Sequence, residues 1–111
     1  MNTKIDDAVH WLHAVGYLYG HHGQPRRAIV LLLIAARLAP ADVGVLRTLA
    51  YAFLIDGSPH RAMAVIDQLR SMRGGEHPVL DLLACRALWA CGREHEARGA
   101  YRAYVSRSQR R

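Results

Sequence analysis

Proline and aromatic residues are both scarce in this chain. It has four prolines, and aromatics make up 7% of 111 residues, although 51% of the sequence is apolar. A chain that apolar is not disordered, and one that poor in proline and aromatics suits a helical globular protein of a single domain, residues 1–111. Its length allows only a modest core. Long apolar runs are also missing. The longest, AIVLLLIAA at 28–36, is too short to span a bilayer, so no stable membrane insertion is expected. The opening MNTKIDDAVHWLH sets acids and histidines where a secretory signal would be apolar. Only two cysteines occur, Cys85 and Cys91. Six positions apart on one helix they would point about 240° apart and could not bridge. They read as reduced, small core residues of a cytoplasmic protein. Acids are few as well, nine against fifteen basic residues for a net charge of +6, which favours acidic partners.

Catalytic equipment is absent too. There is no glycine-rich phosphate loop and no Cys-x-x-Cys pair. The serines lie in turns or the tail without a base to activate them. The acids sit mostly at helix ends, where Asp6 and Asp42 suit caps or dipole partners. Neither an enzyme nor a cofactor is expected. His10 and His13 stand one turn apart and could hold a metal only weakly, because no acid or thiol joins them. Hydrogen bonding from these two histidines to a bound peptide is the plainer role. Arg93, Arg98, Arg102, Arg107, Arg110 and Arg111 crowd the tail, but no aromatic stacking platform is interleaved with them. A solvated face or a patch for an acidic protein is therefore expected rather than nucleic-acid binding.

What the chain does have is a repeated hexapeptide: GQPRRA at 23–28, GSPHRA at 57–62 and GREHEA at 92–97. The steps are 34 and 35 residues. Each begins with glycine, which ends a helix cheaply in the left-handed conformation, and two continue with proline suited to a helix's first turn. The hexapeptide is thus the turn of a helical hairpin, used three times. Helices are expected at 5–21, 25–38, 42–56, 59–73, 78–91 and 94–108, with a flexible point at 73–77.

A helix–turn–helix period of 34 residues resembles the tetratricopeptide repeat. Leu12, Val15, Gly16, Tyr19, Ala28, Leu32, Ala35 and Pro40 fit its pattern in the first unit. Leu46, Leu49, Ala50, Phe53, Ala62, Ile66 and Leu69 fit in the second, and Ala84, Cys85, Leu88, Ala97, Tyr101 and Tyr104 in the third. Gly74 replaces the second unit's final proline, and Asp81 departs from a large first residue. Units fall at about 9–42, 43–77 and 78–111. The small residues Gly16, Ala50 and Cys85 are expected at the helix crossings, faced by Ala28, Ala62 and Ala97. The resemblance implies an all-α, right-handed solenoid of three stacked hairpins. Its concave lining would be His10, His13, Tyr17, Arg47, Tyr51, Leu54, Val79, Leu82, Arg86 and Trp89. The lysine, asparagine and arginine clamp that grips acidic C-termini in related co-chaperones is missing, since His13, Tyr17, Thr48, Val79 and Leu83 hold its positions. A hydrophobic, helical segment is the expected ligand.

Two further surfaces invite a partner. RAIVLLLIAARL at 27–38 is apolar on nearly all sides, which would leave Val30, Leu33 and Ile34 on its outer face. The sequence also stops about one turn past Tyr104, which would open a groove lined by Trp89, Tyr101 and Val105. The stretch LACRALWACGREHEARGAYRAYV at 83–105, with Gly16–Tyr19 and the first hexapeptide, resembles the Y-type chaperones of type III secretion (the SctY or YscY family). Ala97, Arg98, Ala100, Tyr101 and Tyr104 carry the match. The resemblance implies a heterodimer with a small secreted SctX-like protein, presented to the export gate protein SctV. A G-type needle-subunit co-chaperone, a generic adaptor and a homodimer of the free protein are the alternatives.

Overall fold

The glycine of each hexapeptide closes its helix as the sequence requires. In the computed structural model, which describes residues 2–110, Gly23, Gly57 and Gly92 have φ of 76°, 77° and 79°. Met1 and Arg111, the latter counted in the basic tail, lie outside those residues. Beyond each glycine a backbone N–H reaches back five residues: Gln24 to the Tyr19 carbonyl at 2.9 Å, Ser58 to Phe53 at 2.8 Å, Arg93 to Leu88 at 2.9 Å. Only a left-handed residue permits that closure, and it satisfies a carbonyl the helix would otherwise leave open.

Six helices and no strand form among the described residues. They are α1 (Thr3–His21), α2 (Pro25–Leu38), α3 (Val43–Ile55), α4 (Pro59–Ser71), α5 (Pro78–Ala90) and α6 (Glu94–Gln109). The expected spans differ by at most two residues at any end. Pro25, Pro59 and Pro78 each begin a helix, where their missing N–H costs nothing. Asp42 caps α3, its Oδ1 accepting from the Val45 N–H at 3.1 Å, while α1 is capped by Asn2 and Asp6 lies in its first turn, where it suits the helix dipole.

The helices pack in sequence order as hairpins α1–α2, α3–α4 and α5–α6. Each hairpin rests on the next through α2 on α3 and α4 on α5. Of the remaining pairs only α1 with α3 and α3 with α5 approach, so the odd-numbered helices form one layer and the even-numbered ones another. The core is continuous through the stack, with Leu32, Val45, Ile66, Leu69 and Leu80 fully buried. Each such side chain contributes about 1.5–3 kcal/mol. α6 adds only Ala97. No helix among the described residues is long and apolar enough to cross a membrane.

The crossing positions follow the expected pattern with two corrections. Ala28, Ala50, Ala62 and Ala97 are buried as small residues at close crossings should be. Gly16, however, faces Leu32: a Cβ there would lie 2.9 Å from the Leu32 Cγ. Ala28 is instead opposed by Gly20, at 3.8 Å from its Cβ position. Cys85 and Cys91 are half-buried free thiols, not core residues. α6 brings too few apolar side chains to cover Cys85, and Cys91 caps α5 at its end. The 73–77 segment is tied down, since Gly75 is buried against the Leu69 carbonyl and Glu76 pairs with Arg107 at 3.3 Å.

Candidate partner-docking surfaces

α1 and α3 lie side by side, so side chains one turn apart on α1 meet those of α3 across a hollow. His10, His13, Tyr17 and Arg47 line it, together with Ala14, Leu18, Gly44 and Thr48, and it encloses about 570 Å³. Four of the expected groove residues are thereby gathered in one place. His21, one turn beyond Tyr17, extends the surface: its ring lies 4.2 Å from that of Tyr17 and stacks at 4.9 Å on Tyr51. His21 was not among the expected groove residues, although its i+4 spacing from Tyr17 already placed the two rings on one face.

His13 does not offer both ring nitrogens to a ligand. Its Nε2 lies 2.8 Å from the Thr48 hydroxyl, and that hydroxyl donates onward to the Gly44 carbonyl at 3.1 Å. A hydrogen on Nε2 lets His13 donate to Thr48 while the hydroxyl donates to Gly44, so this tautomer satisfies both contacts. Burial holds the His13 pKa below its ordinary 6.5; Asp42 opposes this, while His10 and Arg47 add to it. A side chain at Gly44 would crowd the same ring, its Cβ 3.4 Å from His13 Cε1. Among the described residues no group of three or more histidines, cysteines or acids is placed to hold a metal ion.

The remaining expected groove residues separate from this hollow. Leu54, Val79 and Leu82 are half-buried, while Arg86 is exposed. Trp89 turns to the far end of the stack. There it lines an apolar hollow of about 400 Å³ between α5 and α6 with Cys85, Ala97, Arg98, Tyr101 and Arg102. Trp89 and Tyr101 thus belong to one surface, as the open-end reading expected. Val105 is half-buried and does not line it. A third apolar surface is the outer side of α2, where Val30, Leu33, Ile34 and Leu38 are exposed.

Sequence reasoning missed a charged bridge. Asp81, treated only as a departure from the repeat, is buried, with 3% of its surface exposed. Arg70 of α4 donates to its Oδ1 at 3.1 Å, and Arg107 of α6 lies 3.0 Å from Oδ2 without the angle for a hydrogen bond. The bridge spans α4 and α6, whose backbones do not touch. It also occupies part of the arginine-rich tail: Arg107 is engaged here, Arg93 pairs with Glu96, and Arg98 pairs with Glu94 at 2.9 Å. A continuous row of unpaired cations for a phosphate backbone is not present among these three. No protein-family model matches the chain. Comparison with curated proteins finds no match either.

Proposed function

We propose that the three hairpins form a right-handed tetratricopeptide solenoid and that the protein is a cytoplasmic, non-enzymatic chaperone of a bacterial type III secretion apparatus. On this reading it holds a small secreted SctX-like protein as a heterodimer and presents it to the export gate protein SctV. The hollow lined by Tyr17 and Arg47, continued along α1 and α3 by the stacked rings of His21 and Tyr51, carries the reading. Tyrosine and arginine concentrate binding energy at interfaces because they combine large contact area with directed polar groups. An open hollow of that composition suits an apolar helical segment with an acidic edge. The exposed α2 face gives the same client a second apolar surface to cover. The mechanism is masking: apolar client segments that would aggregate are buried until export, with no bond made or broken.

The test is co-expression with an SctX-like protein and light scattering of the purified product. A 1:1 complex more soluble than either component is expected. Tyr17→Asp combined with Tyr51→Asp should weaken that complex at least about tenfold, since it places two charges in an apolar interface. Retention of full affinity by this folded double variant would remove the hollow from the binding site. A three-way complex with a needle subunit would replace the Y-type reading with the G-type one.

A further inference from the structure

Positions one repeat apart share a place in their hairpins, so a difference in exposure between them reports the neighbours they have. Val45 in α3 and Leu80 in α5 are 0% and 1% exposed. The residue one period earlier, Trp11 in α1, is 61% exposed. Ala52 and Ala87 are equally buried, while their α1 counterpart Leu18 stands exposed. At the other end the pattern is mirrored. Leu32 in α2 and Ile66 in α4 are fully buried, but their counterpart in α6, Tyr101, is 53% exposed. Leu69 and Ala35 are buried where Tyr104 is only half so. α3 and α5 each rest on a preceding hairpin, and α2 and α4 are each covered by a following helix. The two surfaces that bury one another at both internal junctions therefore stand open at the two ends of the same molecule.

We infer that copies of this chain stack head to tail, α1 of one copy seated in the α5–α6 hollow of the next, where a further hairpin would lie. Charge favours this pairing over a like-with-like one. α1 begins with Lys4 and the exposed acids Asp6 and Asp7, whereas the hollow is rimmed by the exposed Arg102 and by Arg98, which pairs with Glu94, and the tail continues to Arg110. At internal junctions the connectors are short, only residues 39–42 between α2 and α3, so the start of the incoming helix lies beside the end of the even-numbered one. The same placement sets the acidic start of α1 beside the basic C-terminal half of α6. An interface made of two different surfaces does not close on itself, so the assembly grows as a concentration-dependent series rather than stopping at a dimer. Head-to-tail stacking follows from the hairpin packing and the charge of the two ends, and it is independent of the chaperone reading.

Sedimentation velocity from low micromolar to several hundred micromolar at low salt tests it. The wild-type chain should pass through dimer to trimer and larger species, and high salt should weaken the series by screening. Trp11→Arg blocks the α1 end, and Trp89→Arg with Tyr101→Arg blocks the α6 end. Because these side chains are exposed the fold should survive, which circular dichroism checks, and Leu18→Lys serves as a second α1-end block. Each blocked variant alone should remain monomeric, its self-association weakened about tenfold or more by a charge buried unpaired. Mixed, the two should form a 1:1 dimer that grows no further, because each retains one complementary end. A wild-type monomer at every concentration would overturn the inference, as would a dimer that stops at two copies or blocked variants that fail to complement. Tyr17→Asp with Tyr51→Asp, which removes client binding in the proposed function, should leave this series unchanged.

Discussion

His13 shows how one side chain can tie the hollow's chemistry to pH. Its Nε2 is hydrogen-bonded to Thr48, and burial disfavours the charged ring. Because the folded-state pKa lies below 6.5, the unfolded chain binds the proton more readily. The stabilisation is therefore complete above about 6.5 and is lost as pH falls through the lower folded value. The His13 ring resonances should titrate with a midpoint below 6.5. Urea midpoints should drop between pH 7 and pH 5, and His13→Gln, which can still donate to Thr48, should show a shallower drop. Identical pH profiles for the two proteins would mean that His13 does not carry this dependence. At the same scale Gly16 and Gly20 show why small residues recur along α1. The first makes room for Leu32 and the second for Ala28, so α2 approaches α1 closely.

At the scale of elements, Asp81 decides how α6 is held. α6 buries only Ala97, so apolar packing secures it weakly. The ionic bridge from Arg70 through Asp81 to Arg107 supplies a second attachment across the gap to α4. Asp81 occupies the repeat position that Leu12 and Leu46 fill in the earlier units, which indicates a packing site adapted to a carboxylate. Asp81→Ala should cost about 2 kcal/mol in urea denaturation, because it removes the anion and leaves a void, while both arginines can still turn to water. Asp81→Leu should recover most of that loss, since an apolar side chain of fitting volume often replaces a buried ion pair without cost. Equal losses in the two variants would show that the bridge rather than the volume matters.

At the scale of the molecule, the stack is flattened, 44 × 28 × 20 Å with a radius of gyration of 14.3 Å. A compact domain of this length is expected near 13 Å. Its contacts run mainly between neighbouring helices, so stability is distributed along the stack as in repeat proteins. The central hairpin has a neighbour on both sides and α3 packs against α1, α2, α4 and α5, whereas α6 packs on α5 alone. Amide hydrogen exchange should accordingly be slowest in α3 and fastest in α6 and the first turns of α1. Uniform protection along the chain would mean that it opens as one unit. Sharpened protection of α1 and α6 with rising concentration is the corresponding sign of stacking.

Helices and turns were legible in the sequence because they depend on local chemistry: glycine where φ must be positive, proline where no N–H is needed, and an apolar pattern repeated at steps of 34 and 35 residues through the three hairpins. The sequence also placed Val30, Leu33 and Ile34 on an outer face, since periodicity alone shows when a helix is apolar on more sides than it can bury. Tertiary structure decided which residues act together. A repeat projection assigns Trp89 to the same lining as Tyr17, yet the packing of α6 on α5 places Trp89 with Tyr101 in a separate hollow. Asp81 and His13 were visible as residue types, but their partners Arg70, Arg107 and Thr48 lie 11 to 35 positions away. Local patterning carries no information about side chains that meet only when separate helices are laid against one another.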